Sequence, residues 1–455
     1  MSANESFPSD RPDSDCVVPS SPTPRRIGPA PPARINGEEP PAGTLNAAIA
    51  RRVLRQIGSP PLELVLPGGE SVRANGAPPQ CRIVIRDRGI FWRLLLDPLY
   101  YFAEGYASGR IDVEGDLLTP LRVVNEYMSI PAADRPRWFH GRPRSRRHAN
   151  TLSRARDNIH RHYDLGNAFY RLWLDERMLY TCAYFRDPSM TLEDAQVAKM
   201  DHVCRKLQLQ PGEQVIEAGC GWGGLALHMA RNYGVHVRAY NISAEQVRYA
   251  RELACQEGLD DRVEFIEDDW RNISGTCDAF VSVGMLEHVG IENYPALGEV
   301  IHRSLTPDGR GLIHTIGRNY PQQLDRWIER RIFPGAAPPT LAEMMGIFEE
   351  QDFSVLDIEN IRLHYAVTLM DWLRRYEDNV DAVRDMFDED FVRTWRLYLT
   401  SSIAAFEYGW LQLFQVVFAP GASNNVPWTR DYQYRDDDTP RGAVWDRLRR
   451  ERTRT

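Results

Sequence analysis

Val215-Ile-Glu-Ala-Gly-Cys-Gly-Trp-Gly-Gly224 is the stretch that decides the fold. An apolar pair, Val215-Ile216, runs into an acid, Glu217, and then into glycines at alternate positions, Gly219, Gly221 and Gly223. Glycine lets the backbone turn sharply and approach a ligand closely. The helical pattern that follows, Leu225-Ala-Leu-His-Met-Ala-Arg-Asn-Tyr233, supplies the free N–H groups of a helix start. No Gly-Lys-Ser/Thr comes next, so the loop is not a P-loop, and its third glycine falls one residue too early for the dinucleotide fingerprint.

Reading outward, strand and helix patterns alternate. Residues 235–241 are a second strand followed by a helix, 262–269 a third strand, 277–286 a fourth and 310–317 a fifth. Such alternation specifies an α/β fold, a parallel sheet covered by helices. Residues 365–418 read as mostly amphipathic helix. A strand ending in an acid before Gly-x-Gly-x-Gly looks like the first motif of the class I methyltransferases, whose sheet is Rossmann-like. Tyr240-Asn-Ile-Ser243 ends the second strand without the acid that would take ribose hydroxyls, which leaves Asn241, Ser243 and Gln246 to donate or accept there. Asp269 and Trp270, after the third strand, suit an adenine, by amide recognition and by stacking; Asp269 could equally cap a turn.

The rest of the 455 residues divides by composition. Residues 1–43, rich in Pro, Ser and charge, are expected to be a disordered tail. Residues 44–130 read as a small α+β domain: a helix, a strand–Pro-Gly-Gly–strand unit, a further strand, and an aromatic stretch turning over glycines. Residues 131–157 carry eight arginines, either a solvated linker or a patch attracting anionic headgroups. Residues 158–420 hold the main domain and 421–455 a charged tail. Net charge is −8, which argues against a nucleic-acid partner. Seven scattered cysteines without a CxxC pair argue against disulfides and a metal site. No apolar run is long enough to span a bilayer and no secretory leader opens the chain, so a cytoplasmic protein is expected. The chain has 53 arginines and two lysines, Lys199 and Lys206, a bias read as genomic rather than structural.

Six further motifs fall outside the generic methyltransferase pattern. They are His162-Tyr-Asp-Leu-Gly-Asn167, Tyr180-Thr-Cys-Ala-Tyr-Phe185, Gly284-Met-Leu-Glu-His-Val-Gly290, His314-Thr-Ile316, Phe333-Pro-Gly335 and His364-Tyr-Ala-Val-Thr-Leu369. In this order and spacing the chain resembles the cyclopropane fatty acid synthases and mycolic acid cyclopropane synthases, closely over about residues 155–420. Tyr106-Ala-Ser-Gly-Arg-Ile-Asp-Val-Glu-Gly-Asp116 is similar to the small N-terminal domain of the phospholipid-acting members.

The resemblance implies S-adenosylmethionine as methyl donor and bicarbonate as a bound base. Its bicarbonate ligands would be Cys182, Glu287, His314 and Tyr365, with the backbone at Ile316; the four side chains are also the expected catalytic residues. Cofactor contacts would come from Tyr180, Thr181, Glu217, Gly219, Gly221, Gly223, Asn241, Ser243, Gln246, Asp269 and Trp270. The substrate would be an unsaturated phospholipid, reached from the inner face of the membrane as a peripheral protein, with helices inserted after the fourth and fifth strands forming an acyl tunnel. A homodimer is a further expectation. Chemically, an alkene attacking a sulfonium methyl leaves a carbocation, so the site must be dry and a base must take a proton from the new methyl. Trp173, Tyr180, Tyr184 and Phe185 could shield that cation, at roughly 0.5–2 kcal/mol each, or could simply be core. Loss of a different proton would give a methylene or methyl-branched chain, and a small-molecule amine N-methyltransferase is a second alternative. Thr181 stands where the family commonly has Ser, and the stretch after Gly335 departs from its usual turn.

Overall fold

The computed structural model describes residues 44–56, 58–128 and 165–434. The expected tail at 1–43, the arginine-rich 131–157 stretch and His162-Tyr163-Asp164 lie outside the described residues.

The N-terminal unit consists of α1 (Leu45–Gln56), β1 (Leu62–Val65), β2 (Ser71–Arg73), β3 (Cys81–Ile85), α2 (Arg88–Leu94), α3 (Pro98–Ala107), β4 (Ile111–Glu114) and α4 (Leu118–Met128). Its four strands run in the order β2-β1-β3-β4, with β1 and β3 parallel and the outer pairs antiparallel. Asp87 and Asp97 start α2 and α3 by accepting the N–H of Ile90 and of Tyr100, the usual work of an N-cap.

The larger unit opens with α5 (Asn167–Arg171), an irregular buried stretch, and α6 (Leu192–Lys206). There follow β5 (Gln214–Ala218), α7 (Gly224–Tyr233), β6 (His236–Asn241), α8 (Ala244–Glu257), β7 (Val263–Glu267), β8 (Cys277–Val283), α9 (Tyr294–Ser304) and β9 (Leu305–Gly317). The chain ends with α10 (Arg326–Arg331), α11 (Leu341–Phe348), β10 (Phe353–Asn360), α12 (Arg362–Asp378), α13 (Val380–Met386), α14 (Glu389–Glu407) and β11 (Gln412–Pro420). The seven strands lie in the order β10-β11-β9-β8-β5-β6-β7. β5 has β6 on one side and β8 on the other, so the order reverses at the carboxyl end of β5, where α/β sheets bind ligands.

The α/β class and the five parallel strands agree with the sequence. Two strands do not appear in that reading. Residues 412–420, placed in a helical region, form β11, antiparallel to both β9 and β10. Gln412-Leu-Phe-Gln-Val-Val-Phe-Ala419 is buried on both faces, so it lacks the alternation that marks a half-buried strand, and a short apolar run cannot be told from buried helix by periodicity. The main helical insertion, α12 to α14, therefore lies between β10 and β11. Residues 421–434, expected to belong to a tail, pack back onto the domain: Gln433 is 1% exposed, and its carbonyl accepts from Arg205 Nε at 3.2 Å.

The two units meet across α14 and α10. Arg122 pairs with Glu407 at 2.6 and 2.8 Å, Arg331 with Glu104 at 2.9 and 3.0 Å, and Arg393 donates to the carbonyls of Tyr106 and Ile111. The Arg393 guanidinium also lies 4.1 Å from the Tyr106 ring centre.

β11 is locked to β9 by shape. A Cβ on Gly311 would lie 2.1 Å from Phe418 Cζ, and Phe418 is wholly buried against Phe348 and Phe353. Gly311→Ala should therefore lower the urea midpoint, with a loss of about 1–3 kcal/mol from overpacking, while Phe418→Ala should cost about 3–5 kcal/mol through a cavity. An unchanged midpoint in Gly311→Ala would mean that the β9–β11 contact is looser than described.

Candidate active site

A cavity of about 1100 Å³, counted to its open mouth, lies at the carboxyl ends of β5 to β8. The glycine loop forms its floor. Gly219, Gly221 and Gly223 all have positive φ, near 86°, 55° and 86°. Their surroundings differ. A Cβ on Gly219 would meet Met285 at 2.9 Å and one on Gly223 would meet Phe265 at 2.6 Å, whereas one on Gly221 would project into open space.

Of the eleven residues expected to hold a cofactor, nine line this cavity: Tyr180, Thr181, Glu217, Gly219, Gly221, Asn241, Gln246, Asp269 and Trp270. Gly223 and Ser243 do not. Gly223 is the residue at which α7 begins, packed against Phe265 and Ala250. Ser243 is the N-cap of α8, its hydroxyl accepting from Gln246 N. Both shape the loops rather than the wall. Asn241 bridges two of these loops, donating to Gly221 O at 3.1 Å and to Gln246 Oε1 at 2.8 Å. The Asp269 carboxylate is already engaged: it accepts from Arg271 Nη1 at 2.9 and 3.1 Å and caps the turn at Trp270, so the capping role is present.

Two buried polar atoms in the wall have no partner among the described residues, Glu217 Oε2 and Gln246 Nε2. Burial pushes the Glu217 carboxyl up to about 8, against the pull of Lys199. Lys199, a residue the sequence reading passed over, is 1% exposed, lines the cavity and donates to Thr181 Oγ1 at 2.8 Å. Burial brings its ammonium down to about 8. The signal was present: in a chain that otherwise uses arginine, both lysines are buried, the second, Lys206, against Glu359 at 2.6 Å. A compact ammonium fits where a planar guanidinium fork does not.

The four expected catalytic side chains, Cys182, Glu287, His314 and Tyr365, do not line this cavity, and each is held by its own local contacts. Glu287 follows β8, and Glu287 Oε1 accepts the Ile316 N–H at 2.7 Å. His314 sits on β9 opposite Val283, and its carbonyl accepts from Gly284 N at 2.9 Å. Cys182, wholly buried, lies 4.0 Å from Thr368 Oγ1, on α12 three residues after Tyr365. Ile316 packs on the buried cluster that contains Cys182 and Tyr365 while its N–H is held by Glu287, which links three of the four. The Ile316 N–H, expected to face an anion, is occupied by Glu287.

Burial draws Cys182, Glu287 and His314 towards their neutral forms. Burial pushes the Cys182 thiol well above its ordinary value, raises Glu287 to about 7 and lowers His314 to about 3. His314 Nδ1 is 3.1 Å from the Gln415 amide, so with that amide donating the ring carries its proton on Nε2. Glu287 Oε2 is buried without a partner among the described residues. A neutral thiol, a neutral imidazole, a phenol and a protonated carboxyl are all hydrogen-bond donors. Around them Trp173, Trp372 and Tyr170 surround Tyr180 at ring distances of 5.2–5.6 Å, and Tyr180 shares a 2.8 Å hydroxyl contact with Tyr398. Of the four rings expected to shield a cation, Tyr180 lines the cavity, Trp173 backs it, and Tyr184 stacks instead between His202 and His364 with Phe185 beside it.

The family model described as mycolic acid cyclopropane synthetase matches residues 150–416. A probable fatty acid methyltransferase from Pseudomonas putida is 35% identical over 372 residues, 79% of this chain and 93% of that protein. The cyclopropane-fatty-acyl-phospholipid synthase of Escherichia coli (strain K12) is 42% identical over 266 residues, 58% of this chain and 68% of that one. Among solved structures, mycolic acid cyclopropane synthase CmaA1 complexed with SAH and CTAB aligns with a TM-score of 0.55 and 30% identity, covering 58% of this chain and 97% of that one. Coclaurine N-methyltransferase aligns with a TM-score of 0.56 at 22% identity over 70% of this chain and 98% of that one, a likeness of fold.

The raised carboxyls set a pH dependence. Folded Glu217 and Glu287 keep a proton that the unfolded chain has lost, so their contribution is full below about pH 4.5. It falls away as pH rises through about 7 for Glu287 and about 8 for Glu217. Below about pH 6.5 the buried neutral His314 and His288, held down to about 3 and about 4, act in the opposite sense, so urea midpoints of the ligand-free protein should drop between about pH 6.5 and about pH 8, and Glu217→Gln, which cannot ionise, should flatten that slope. An identical slope in the variant would show that Glu217 titrates normally.

Proposed function

This chain belongs to the mycolic acid cyclopropane synthetase family and is an S-adenosylmethionine-dependent methyltransferase of the cyclopropane synthase type, and we propose that it adds a one-carbon unit to the cis double bond of an unsaturated phospholipid acyl chain and closes a cyclopropane ring. What supports the reading is the set Cys182, Glu287, His314 and Tyr365 in the motifs of that family, with Ile316 linking Glu287 to the buried cluster that holds Cys182, Tyr365 and the aromatic rings around Tyr180.

The cavity fits the methyl donor. Gly221 leaves open space where a side chain would fill it, and Glu217 and Gln246 offer buried polar atoms awaiting a partner. When bound, S-adenosylmethionine supplies an electrophilic methyl group on a sulfonium. Trp270, covered on one face by Arg271 at 4.5 Å, offers an aromatic surface to a purine. Gln246 and the backbone of Asp269 give polar contacts at the nucleoside end, while Lys199 and Thr181 offer donors to a carboxylate at the other.

These four side chains are the ones that would hold bicarbonate, which would supply the base. His314 and Tyr365 would donate to it, Cys182 would do so on releasing the Ala183 carbonyl to which its thiol donates at 3.1 Å, and Glu287, near neutrality in pKa, can hold or release a proton at Oε2. For Ile316 N–H to join them, Glu287 must turn away from it. Wholly buried Trp173 and Trp372 exclude water from a cation on the acyl chain, and Tyr180 can face it with its ring. Tyr398, which holds the Tyr180 hydroxyl, fixes that face. The substrate reading places the protein at a membrane surface; among the described residues no helix is long and apolar enough to cross one.

The direct test is proton NMR of lipids extracted after incubation with S-adenosylmethionine and monounsaturated phospholipid vesicles. High-field cyclopropane protons are expected. Exocyclic methylene or branched methyl signals would move the proton-loss step and favour a branched product, and unchanged lipid would turn attention to amine substrates. In the same assay Glu287→Ala should lose at least about 100-fold in turnover, the scale of a general acid–base group. Calorimetric S-adenosylmethionine affinity should stay within about twofold, since Glu287 lies outside the cofactor wall. Retained turnover would remove Glu287 from the mechanism.

A further inference from the structure

Large apolar side chains on a folded surface are normally scattered, and a contiguous group marks an interaction site. Of the twelve that are exposed among the described residues, four fall within residues 92–99, at the knuckle between α2 and α3. Leu96 is 81% exposed, Leu99 52%, Trp92 48% and Leu95 37%. Trp92 lies on α2, Leu95 and Leu96 in the turn that follows and Leu99 on α3, so the four share the corner between the two helices.

Cations flank this group. Arg88 and Arg93 are exposed on α2, and Arg326 and Arg330 are exposed on α10. α10 sits against the knuckle, with the Arg326 guanidinium 4.4 Å from the Tyr100 ring centre and 3.6 Å from Asp97, and Arg330 Nη1 3.3 Å from the Tyr100 hydroxyl. The two acids in this stretch, Asp87 and Asp97, are turned onto the first turns of α2 and α3 as caps. The surface thus offers leucines and a tryptophan within a rim of arginines.

The same knuckle lies at the outer end of a chain of contacts into the site. α10 leads into Phe333, whose ring is 5.5 Å from Tyr398 and 5.9 Å from His288. Tyr398 holds Tyr180, and both His288 and Tyr180 line the cavity. We infer that the Trp92–Leu99 knuckle inserts into the interface of an anionic phospholipid bilayer, so that the α10 insertion and the contacts that run from it to the cavity face the acyl layer. The occupant follows from the lipid-substrate reading and from the charge of the rim: leucines and tryptophan enter the headgroup–acyl boundary while arginines meet phosphate.

The test separates binding from catalysis by using fully saturated phosphatidylglycerol–phosphatidylcholine vesicles, which hold no alkene to react. The full-length protein should sediment with them, and Leu96→Asp with Leu99→Asp together should weaken partitioning at least about tenfold. Both sites are exposed, so S-adenosylmethionine affinity and thermal midpoint should match the parent. Arg88→Glu with Arg93→Glu should weaken binding to the anionic vesicles and leave any binding to pure phosphatidylcholine unchanged. Equal sedimentation of parent and leucine variant would overturn the inference. So would a parent dimer that becomes a monomer in that variant by light scattering, which would make the knuckle a subunit contact. Because no turnover is read, a knuckle that fails leaves the cyclopropane reading standing, and absent lipid product leaves the vesicle result readable.

Discussion

Residues 180–185 cross the heart of the domain in no helix and no sheet, and buried backbone of that kind must find every hydrogen bond elsewhere. Side chains from three helices supply them. Gln196 and Lys199 on α6 hold the Thr181 carbonyl and hydroxyl; Thr368 on α12 accepts from Ala183 N at 3.0 Å; His364 accepts from Phe185 N at 3.0 Å. Tyr398 on α14 holds the Tyr180 hydroxyl. Tyr180 and Thr181 line the cofactor cavity, and Ala183 follows directly on Cys182. The segment is the seam between the cavity wall and the buried cluster around Cys182, and two helices of the insertion between β10 and β11, α12 and α14, supply three of its ties.

The division of charge across the seam follows from burial. On the cavity side Glu217 and Lys199 are both drawn towards neutrality, each by desolvation and each partly restored by the other. On the far side no full charge is required at all. A wholly buried thiol and imidazole keep their neutral forms, and an acid near its midpoint stands beside them. A low-dielectric site strengthens each of these hydrogen bonds and punishes any left unmade.

Much of this was legible before any coordinates. Strand–helix alternation with an acid before Gly-x-Gly-x-Gly locates β5 and the switch point, because close backbone approach leaves a compositional mark. The candidate set Cys182, Glu287, His314 and Tyr365 comes from motif order alone, since Cys182 or His314 taken singly reads as core. What stayed hidden has a physical reason in each case. β10 and β11 are strands whose pattern is set by burial on two faces or by an edge position, not by alternation. Asp269 has the right position for a ligand but is claimed by Arg271, two residues away, a competition that spacing does not reveal. Ser243 and Gly223 are needed for the loop's shape, which from sequence looks the same as contact. Lys199 was visible as a rarity and was misread, because the bias towards arginine drew notice to the rule instead of its two exceptions.

The N-terminal unit gains its meaning from where its arginine contacts fall. Arg393 reaches from α14 to the carbonyls of Tyr106 and Ile111, Arg122 reaches Glu407 at the end of the same helix, and Arg331 on α10 bridges Glu104 and Asp390. All three brace α14 or α10, and α14 is the helix that carries Tyr398 to Tyr180. Partly exposed ion pairs contribute little stability singly, so their value here is geometric. They hold a helix whose Tyr398 engages the hydroxyl of Tyr180 at the cavity wall. A displacement of α10 or α14 at the outer surface would be felt at Tyr180 through two side chains, Phe333 and Tyr398, in direct ring contact. The fold thus ties the surface that carries the leucine knuckle to the residue that lines the cavity, through packed groups and without a flexible link among the described residues.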